Sequence, residues 1–358
     1  MRIALLGPYP DFGGNIGGIS MHIKRMRRHL LLAGHHPVVY ASCGAGNPAQ
    51  HIYRVRNELV SPWVALREYD ALVHLHTTTW HTWALGISTK PLRQRPTILT
   101  VHNEGLQRRW NCASRSARII IRTTLRLFDH IVAVNDHVAD TVRRIAGAHV
   151  PLSMIPAFVP PVPAQADRDA VPARVWDFAR RHHPIVSVNG WIEWTRTGTR
   201  EDLYGFDLAL QALRVLRADF PELGLIAAVC GIPSCNRDLW LQTQELAASL
   251  GVAEHVCWVT EGCEYYPILE VSQAMVRPTR TDGWPLSIGE AMYFGVPAIA
   301  SDVCVRPRGT LLFRSGDAVD LAAATSRALR GETPATTYRW NCHEDLLALY
   351  ERMAREPN

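Results

Sequence analysis

Short apolar runs alternate with longer amphipathic segments along most of the chain. Continuous apolar runs bounded by turn residues are typical of buried strands, and apolar residues at every third or fourth position are typical of helices. Their alternation predicts parallel sheets whose strands are joined by crossover helices. In the first half, the predicted strands are Ile3–Gly7, Pro37–Ala41, Ala71–His76, Thr97–His102, His130–Asn135 and Leu152–Pro156, with a helix over Ile19–Leu32.

The pattern is interrupted between Pro151 and Pro172, where six prolines disfavour helices and inner strands. This composition predicts a linker over residues 161–183, between a domain over residues 1–160 and a domain over residues 184–337. The predicted strands of the second domain are Ile185–Gly190, Leu225–Gly231, His255–Thr260, Ala274–Pro278, Ala298–Ser301 and Leu311–Phe313. Its predicted helices are Phe206–Ala218, Leu239–Leu250, Leu286–Phe294 and Val319–Leu329.

Both halves have the pattern of a doubly wound α/β domain, and we predict two such Rossmann-like domains that face each other across a cleft. A final amphipathic helix within residues 338–358 is expected to cross back onto the first domain. Ligands of doubly wound sheets bind outside the carboxyl ends of the strands. Functional residues are therefore expected in the loops that follow the strands.

The composition agrees with this fold class. A chain of 358 residues that is 47% hydrophobic has enough apolar side chains for two cores, which excludes a disordered or fibrous protein. No apolar run approaches the roughly 20 residues that cross a bilayer, and Met1 leads directly into a strand rather than a signal peptide. These features predict a cytoplasmic protein. The eight cysteines form no C-x-x-C pair, which argues against a cysteine metal site.

Charge is distributed unevenly between the two halves. Residues 1–160 hold 19 Lys and Arg against 8 Asp and Glu, whereas residues 161–358 hold 19 against 25. The first half also contains a segment, from Arg108 to Arg126, with six arginines and no acidic residue. The two domains therefore face different partners.

The segment from Arg108 to Arg126 carries Trp110 and an apolar run among its arginines. Such a basic surface with aromatic residues suits an anionic membrane or a phosphate-bearing acceptor. We expect Arg108, Arg109 and Trp110 to face the acceptor or the inner face of the membrane, with a solvated helix face as the alternative. Nucleic acid is disfavoured because the sequence contains no reader motif.

A glycine-bearing loop follows the first strand and ends at Gly17 and Gly18, where a helix begins. Glycines allow the backbone to approach a phosphate, and a helix N-terminus offers free N–H groups. The loop is not a G-x-G-x-x-G fingerprint, and no acidic residue ends the second strand to bind the ribose of a nicotinamide cofactor. A phosphate site is the functional interpretation, and a turn without a ligand is the alternative.

The most informative stretch places Asp282 just before a predicted helix and Glu290 one to two turns inside it. A carboxylate beside a diphosphate would repel it, so these acids are better suited to accept hydroxyl hydrogen bonds on either side of a phosphate at the helix N-terminus. A ribose at one end and a sugar at the other would fit this arrangement. The alternative is an N-cap aspartate and a structural glutamate.

This stretch resembles the signature of the retaining GT-B glycosyltransferases of family four, in which two acidic residues eight positions apart precede a helix that ends G-x-P-x-I-A-S. Asp282 and Glu290 have this spacing, and Gly295–Ser301 matches the end of the motif. The first acid is Asp rather than Glu, which shortens its reach. The resemblance extends along most of the chain, through Gly17–Ile19, Gly34–Val38, Val73–His76, Thr100–Asn103, Asp129–Asn135 and Met154–Pro156.

The resemblance implies a nucleotide-diphosphate sugar that is bound mainly by the second domain. Glu290 would hold the ribose hydroxyls, Asp282 the donor sugar, and His102 of the first domain would contact that sugar near the reacting carbon. The resemblance also places backbone groups of further residues around the donor, namely Gly17, Gly18, Gly190, Gly283, Trp284 and Leu286.

The chain departs from the family pattern at two cations that neutralise the leaving diphosphate. Trp191 stands where similar enzymes have an Arg after the strand, and Tyr204 stands at the Lys position. The segment between them carries Arg196 and Arg200, and arginine can bind phosphate through two nitrogens. We expect Arg196 or Arg200 to replace the missing pair; the alternatives are Arg277, Arg280, or a loss of catalytic power.

The chain has sixteen histidines, which raises the question of a metal site. His74 and His76 lie on one face of a predicted strand, but spacing shows no third ligand for them. We therefore predict no metal and no cofactor, with the nucleotide sugar as co-substrate.

Together these features predict a metal-independent retaining glycosyltransferase that uses a hydroxyl acceptor, which is a glycan, a lipid-linked molecule or a small molecule. Cell-surface glycan, glycolipid or secondary-metabolite biosynthesis is the expected context. Two alternatives are a non-catalytic protein of the same fold that binds nucleotide or glycan, and a sugar-nucleotide epimerase.

Overall fold

The computed structural model describes residues 1–10, 16–44, 46–55, 67–68, 70–76, 80–87, 95–195, 200–282, 286–334 and 341–355. These divide into two compact units. The first draws on Met1–Asp11, Gly17–Val162 and Trp340–Asn358, and the second on Phe12–Ile16 and Pro163–Arg339. Each unit is built on one parallel sheet with alternating helices, so the predicted fold class of two doubly wound α/β units is confirmed.

The first sheet has the strand order β3-β2-β1-β4-β5-β6-β7 within the described residues. Its strands are β1 Arg2–Gly7, β2 His36–Ala41, β3 Ile52–Arg54, β4 Leu72–Leu75, β5 Thr97–Val101, β6 His130–Ala133 and β7 Leu152–Met154. The helices between them are α1 Gly18–Leu32, α2 Trp80–Ile87, α3 Gly105–Cys112, α4 Arg115–Leu127 and α5 Asp136–Ala146. The apolar pattern did not predict β3, because a three-residue edge strand is too short to show a period.

The second sheet has the strand order β10-β9-β8-β11-β12-β13 within the described residues. Its strands are β8 Ile185–Trp191, β9 Gly224–Gly231, β10 Val256–Val259, β11 Ala274–Arg277, β12 Ala298–Ser301 and β13 Leu311–Phe313. The helices of this unit are α6 Gln165–Asp169, α7 Ala173–Arg181, α8 Phe206–Leu216, α9 Arg237–Ser249, α10 Tyr266–Leu269, α11 Leu286–Tyr293 and α12 Ala318–Leu329.

Both sheets reverse their strand order once, between β1 and β4 in the first and between β8 and β11 in the second. At such a switch point the connecting helices leave on opposite faces of the sheet and open a crevice at the carboxyl ends of the two strands. The strand order alone therefore marks two places where ligands are expected.

The segment predicted as a linker, residues 161–183, instead contains α6 and α7. Val175 and Phe178 lie three positions apart and are both buried on one face of α7. Pro172 lies directly before the helix, where its missing N–H group costs nothing. Burial of an apolar face therefore outweighs the proline content from which the linker was predicted.

The last helix, α13, runs over Cys342–Arg355 and packs in the core of the first unit. Tyr350 is completely buried there, and its hydroxyl lies 2.6 Å from Nδ1 of His74 on β4. A hydrogen bond between an aromatic hydroxyl and a buried imidazole thus ties the end of the chain to the middle of the sheet.

Replacing Tyr350 with Phe should lower the free energy of unfolding by about 1–3 kcal/mol, since Nδ1 of His74 would stay buried without this partner. Chemical denaturation measures the loss. Tyr53→Phe, at a partly exposed ring, is the matched control and should change stability by less than about 0.5 kcal/mol. Equal midpoints for the two variants would show that the hydroxyl contributes nothing.

Candidate functional site

The candidate site of the second unit lies at the switch point between β8 and β11. Trp191 ends β8 and Arg277 ends β11, so both residues stand at the carboxyl edge of the sheet. The chain continues from β11 through Asp282 into α11. Gly283 and Trp284, which were predicted to offer backbone groups to the donor, lie outside the described residues.

Asp282 forms a close ion pair with Arg277. The guanidinium group donates from Nε to Oδ2 at 3.0 Å and from Nη2 to Oδ1 at 3.2 Å. The side chains are 11% and 9% exposed for Arg277 and Asp282, respectively. A two-point contact between a guanidinium group and a carboxylate fixes both groups in one plane and is stronger than a contact through one bond.

Arg306 completes this cluster, and sequence reasoning did not identify it. Its side chain is 1% exposed, and its Nη1 donates to Oδ2 of Asp282 at 2.8 Å. Its remaining nitrogens donate to Ser301 and Thr279. Arg306 follows the G-x-P-x-I-A-S motif by five residues in a segment with no helical or strand pattern, so no sequence signal linked it to Asp282.

The cluster of Arg277, Asp282 and Arg306 has a net charge of +1. Burial by itself raises the pKa of Asp282, but the two guanidinium groups outweigh it and hold the pKa below its ordinary value. Arg277 uses three of its five N–H groups, two on Asp282 and one on the carbonyl oxygen of Asn189 at 3.2 Å. The cluster can therefore offer an anion both charge and hydrogen-bond donors.

Tyr204 stands at the position where similar enzymes have a lysine, and the guanidinium group of Arg277 lies 5.1 Å from the centre of its ring. This distance is within the range of a cation–π contact. A Cβ atom at Gly190 would come 2.5 Å from the same ring, so only glycine fits there. Gly190 therefore makes room for Tyr204, and Tyr204 in turn supports Arg277.

The other arginines considered for the diphosphate have different surroundings. Arg196 lies outside the described residues. Arg200 is 63% exposed, pairs with Asp238 at 2.9 Å and lies over the ring of Trp194. Arg280 is paired with Asp207, at the start of α8. Of the described candidates, Arg277 is the one placed at the switch point of the sheet.

Glu290 lies on the second turn of α11 and is 4% exposed, and Leu286 begins the same helix. Burial raises the pKa of the Cys230 thiol to about 11; the charge of Arg277 opposes this rise, and the charge of Glu290 adds to it. Both charges therefore act on one partly buried cysteine. Glu290 and the arginine cluster thus belong to the same part of the second unit.

In the first unit, Gly17 and Gly18 lie at the start of α1. Gly17 is the N-cap residue, and its N–H group donates to Oγ of Ser20 at 3.0 Å. Gly18 is the first helical residue and is exposed. The predicted phosphate contact therefore falls at a helix N-terminus.

His102 follows β5 directly and meets two other histidines. Its Nε2 lies 3.0 Å from Nδ1 of His76, which follows β4, and its ring centre lies 4.9 Å from that of His22 on α1. Spacing along the chain did not reveal His22, because it comes from a helix 54 residues before His76. Nitrogens of the three rings lie within 4.8 Å of one another.

Burial keeps these imidazoles uncharged. It lowers the pKa of His22 to about 4, and it lowers the pKa of His76 and His102 well below the ordinary value, with neighbouring histidines adding to the effect. Each ring therefore has one nitrogen with a lone pair at neutral pH. These nitrogens can accept a hydrogen bond or bind a metal ion.

The residues predicted to face an acceptor lie on α3. Arg108 is exposed, whereas Arg109 and Trp110 are partly buried. Arg118 and Arg122 of α4 lie over the Trp110 ring, at 5.6 and 5.5 Å from its centre. Arg122 also donates to the carbonyl oxygen of Ile145 at the C-terminal end of α5, a structural role for part of the basic segment.

Among the described helices, none combines the length and apolar character needed to cross a bilayer.

Comparisons with known proteins support a common assignment for both units. The sequence model of Glycosyltransferase Family 4 matches residues 16–162, and the sequence model of glycosyl transferases group 1 matches residues 196–331. Between them the two matches cover most of the chain. A search of curated proteins found no match.

Solved structures with the same fold are distant in sequence. A glycosyltransferase from Rickettsia africae has a TM-score of 0.69 and 12% identity, with 99% of each chain covered. Anabaena HepE in complex with UDP-glucose has a TM-score of 0.66 and 14% identity, with 99% of this chain and 98% of HepE covered. Sucrose-phosphate synthase from Thermosynechococcus elongatus has a TM-score of 0.59 and 19% identity, with 99% and 96% covered. With two matching family models and two doubly wound units of the GT-B type, the chain belongs to the group 1 glycosyltransferases.

Proposed function

We propose that this protein transfers a sugar from a nucleotide-diphosphate donor to a hydroxyl acceptor, with retention at the anomeric carbon and without a metal ion in the transfer step. The observation that carries the proposal is the positively charged cluster of Arg277, Asp282 and Arg306 at the switch point of the second sheet. Buried Glu290 lies in the same part of that unit.

In this proposal Arg277 supplies the positive charge beside the diphosphate. Similar enzymes obtain this charge from an Arg and a Lys at the positions of Trp191 and Tyr204. A leaving diphosphate gains negative charge as the bond to the sugar breaks, and fixed positive groups stabilise it. Among the described residues, Arg277 has two N–H groups without an acceptor, whereas each nitrogen of Arg306 already donates to the protein. Arg277 therefore contacts the diphosphate, and Arg306 holds Asp282 in place.

The charge state of Asp282 supports retention through same-face substitution. A carboxylate between two guanidinium groups is a weak nucleophile, so a covalent intermediate on Asp282 is disfavoured. Asp282 instead accepts hydrogen bonds from the donor sugar, while the leaving phosphate takes the proton of the acceptor hydroxyl. His102 remains a predicted contact of the donor sugar.

The partners follow from this assignment. HepE was solved with UDP-glucose, so uridine diphosphate sugars are the first donors to test. We propose a glycan, lipid-linked or small hydroxyl compound as acceptor, near Arg108, Arg109 and Trp110. We place the protein in the cytoplasm, attached to the inner face of an anionic membrane. Cell-surface glycan, glycolipid or secondary-metabolite biosynthesis is the proposed context.

Slow transfer to water tests the proposal before the acceptor is known. The protein is incubated with UDP-, GDP-, ADP- and dTDP-sugars, and the released nucleoside diphosphate is measured. NMR identifies the anomer of the free sugar that is formed first, before the two anomers equilibrate. Release from one nucleotide class, with the anomeric configuration of the donor, is expected. Inverted sugar would contradict retention, and binding of a donor without release would favour a non-catalytic binding protein.

Arg277→Gln should weaken binding of the nucleoside diphosphate by about 10- to 100-fold, since a charge-assisted contact is worth about 1.5–3 kcal/mol. Binding of the free nucleoside should change little, because it carries no phosphate. Arg200→Gln, at an exposed arginine paired with Asp238, is the matched control. If Arg200→Gln weakened binding of the nucleoside diphosphate and Arg277→Gln did not, Arg200 would be the residue that replaces the missing cations. Calorimetric titration measures both ligands.

A further inference from the structure

The three histidines of the first unit meet at the carboxyl edge of its sheet, close to the switch point between β1 and β4. His22 comes from α1, His76 follows β4 and His102 follows β5. His22 is 2% exposed and His76 is completely buried. Three separate elements therefore bring three imidazoles into one buried place, in an arrangement that the proposed sugar contact of His102 does not explain.

His22 is oriented by a backbone carbonyl. Its Nδ1 lies 2.8 Å from the carbonyl oxygen of Ala157, which can only accept a hydrogen bond, so the ring proton is on Nδ1. Its Nε2 then carries a lone pair and is buried without a hydrogen-bond partner among the described residues. An imidazole held by a carbonyl on one nitrogen, with the other nitrogen free, is the usual arrangement of a metal-binding histidine.

The other two rings share a hydrogen bond, so one of the two nitrogens that face each other carries a proton, which a bound metal ion would replace. Nδ1 of His76 faces Nε2 of His102 at 3.0 Å, while Nε2 of His76 is buried without a partner among the described residues. Two nitrogens that bind one tetrahedral zinc ion lie about 3.3 Å apart, given Zn–N distances of about 2.0–2.1 Å. One pair is therefore near the distance that a shared ion requires, and His22 completes a set within 4.8 Å.

We propose that His22, His76 and His102 form a binding site for one transition-metal ion of the zinc class. Three neutral nitrogen ligands and a fourth position open to water or another ligand form a donor set typical of open zinc sites. Calcium and magnesium ions do not suit this site, because they prefer oxygen donors to imidazole nitrogens.

The surroundings set a condition on the fourth ligand. Arg25 lies near His22, and its charge opposes a second cation. The three imidazoles bring no negative charge of their own. An anionic fourth ligand would offset this positive charge. Hydroxide can serve as that ligand, because a bound zinc ion lowers the pKa of its water to about 7.

Gly7 provides an independent structural requirement. It ends β1, and a Cβ atom there would come 3.0 Å from Cβ of His76 and 2.8 Å from Cδ1 of Ile23. A side chain at this position would therefore displace His76 from its neighbours. Gly7→Val should weaken metal binding although it removes no ligand atom.

A bound ion would occupy the lone pair of His102 and so compete with the donor sugar. This consequence rests on the proposed function, because it assumes that His102 contacts that sugar. Zinc should then inhibit sugar transfer, and His22→Gln should reduce the inhibition. The metal site itself is tested without nucleotide, so it can fail or stand independently of the transferase assignment.

The test is a cobalt titration of the intact protein, prepared without a histidine tag and treated with chelator. Co²⁺ in a tetrahedral site absorbs visible light strongly, and Zn²⁺ should displace it with loss of colour. We expect one Co²⁺ per chain. His22→Gln and His76→Gln should each weaken Co²⁺ binding by at least about 10-fold. Loss of a residue that only hydrogen-bonds to a metal ligand already costs about 10- to 100-fold in metal affinity, so loss of a ligand should cost at least as much.

His137→Gln, at a histidine whose side chain is 60% exposed, is the matched control and should bind Co²⁺ like the unchanged protein. Far-ultraviolet circular dichroism checks that each variant is folded. If the unchanged protein bound no Co²⁺ or Zn²⁺ at several-fold excess, the proposal would be wrong. Binding that persisted with full affinity in both His22→Gln and His76→Gln would place the ion elsewhere and overturn it equally.

Discussion

Glu290→Gln is expected to weaken nucleoside diphosphate binding about 100-fold while the second unit keeps its fold. In the proposed complex, the Glu290 carboxylate accepts hydrogen bonds from both ribose hydroxyls, and each such bond to a charged group contributes about 1.5–3 kcal/mol. Glutamine keeps the volume of the side chain but loses the charge and one acceptor oxygen. A loss of about 3 kcal/mol corresponds to about 100-fold in affinity.

The ribose assignment can be tested separately from the loss of a buried charge. The protein and Glu290→Gln are titrated with a ribonucleoside diphosphate and with its 2′,3′-dideoxy form. The unchanged protein should bind the ribose form much more tightly than the dideoxy form, and the variant should bind both about equally. The reason is that the substitution and the dideoxy ligand each remove the hydrogen bonds between Glu290 and the ribose hydroxyls. Glu332→Gln, at an exposed carboxylate, is the control. Equal affinity of the unchanged protein for both ligands would show that Glu290 does not hold the ribose.

Acidification from pH 7.5 to 5.5 should lower the stability of the first unit by several kcal/mol. Burial lowers the folded-state pKa of eight histidines of the first unit, five of them strongly, and the unfolded chain regains a pKa near 6.5 for each. As the pH falls below 6.5, the unfolded state binds more protons than the folded state, so stability is lost until the folded pKa is reached. For His22 and His130 that value is about 4. The five are His22, His74, His76, His102 and His130.

The size of this effect follows from linkage. One pH unit below 6.5, each histidine that stays neutral in the folded state costs about 1.4 kcal/mol, which gives an upper limit of about 7 kcal/mol for five. This is comparable to the whole stability of a typical domain, about 5–15 kcal/mol. The first unit should therefore lose a large part of its stability at mildly acidic pH.

Chemical denaturation of metal-free protein at several pH values checks this prediction. His130→Gln should reduce the slope of stability against pH by close to one proton, because Gln does not titrate. His137→Gln, at the exposed histidine, should leave the slope unchanged. A stability that is the same at pH 7.5 and 5.5 would mean that the buried histidines do not control the acid response.

The order of elements could be predicted from the sequence because a parallel strand buried on both faces leaves a clear apolar run. Ala298–Ser301 and Leu311–Phe313 have the same bounds in the prediction and in the structure. The elements that were missed include edge strand Ile52–Arg54 and helix Ala173–Arg181. The first is too short to show a period, and the second was obscured by the prolines before it.

The candidate site was predictable only where its residues lie in one motif. Asp282 and Glu290 could be paired because the motif gives them a fixed spacing, with Asp282 before the helix and Glu290 within it. Arg306 and His22 could not be linked to their clusters, because each meets its partners through the fold and not through the sequence. Sheet topology brings such groups together, and no local pattern encodes it.

The proposed donor site is tested most directly by thermal unfolding with uridine, guanosine, adenosine and thymidine diphosphates, each with the unchanged protein and with Glu290→Gln. A nucleotide at 100 times its Kd adds about 2.7 kcal/mol of stability. One diphosphate should raise the unfolding temperature of the unchanged protein, and Glu290→Gln should lose most of this shift. If no diphosphate stabilised the protein, or if Glu290→Gln were stabilised equally, the proposed donor site would be wrong.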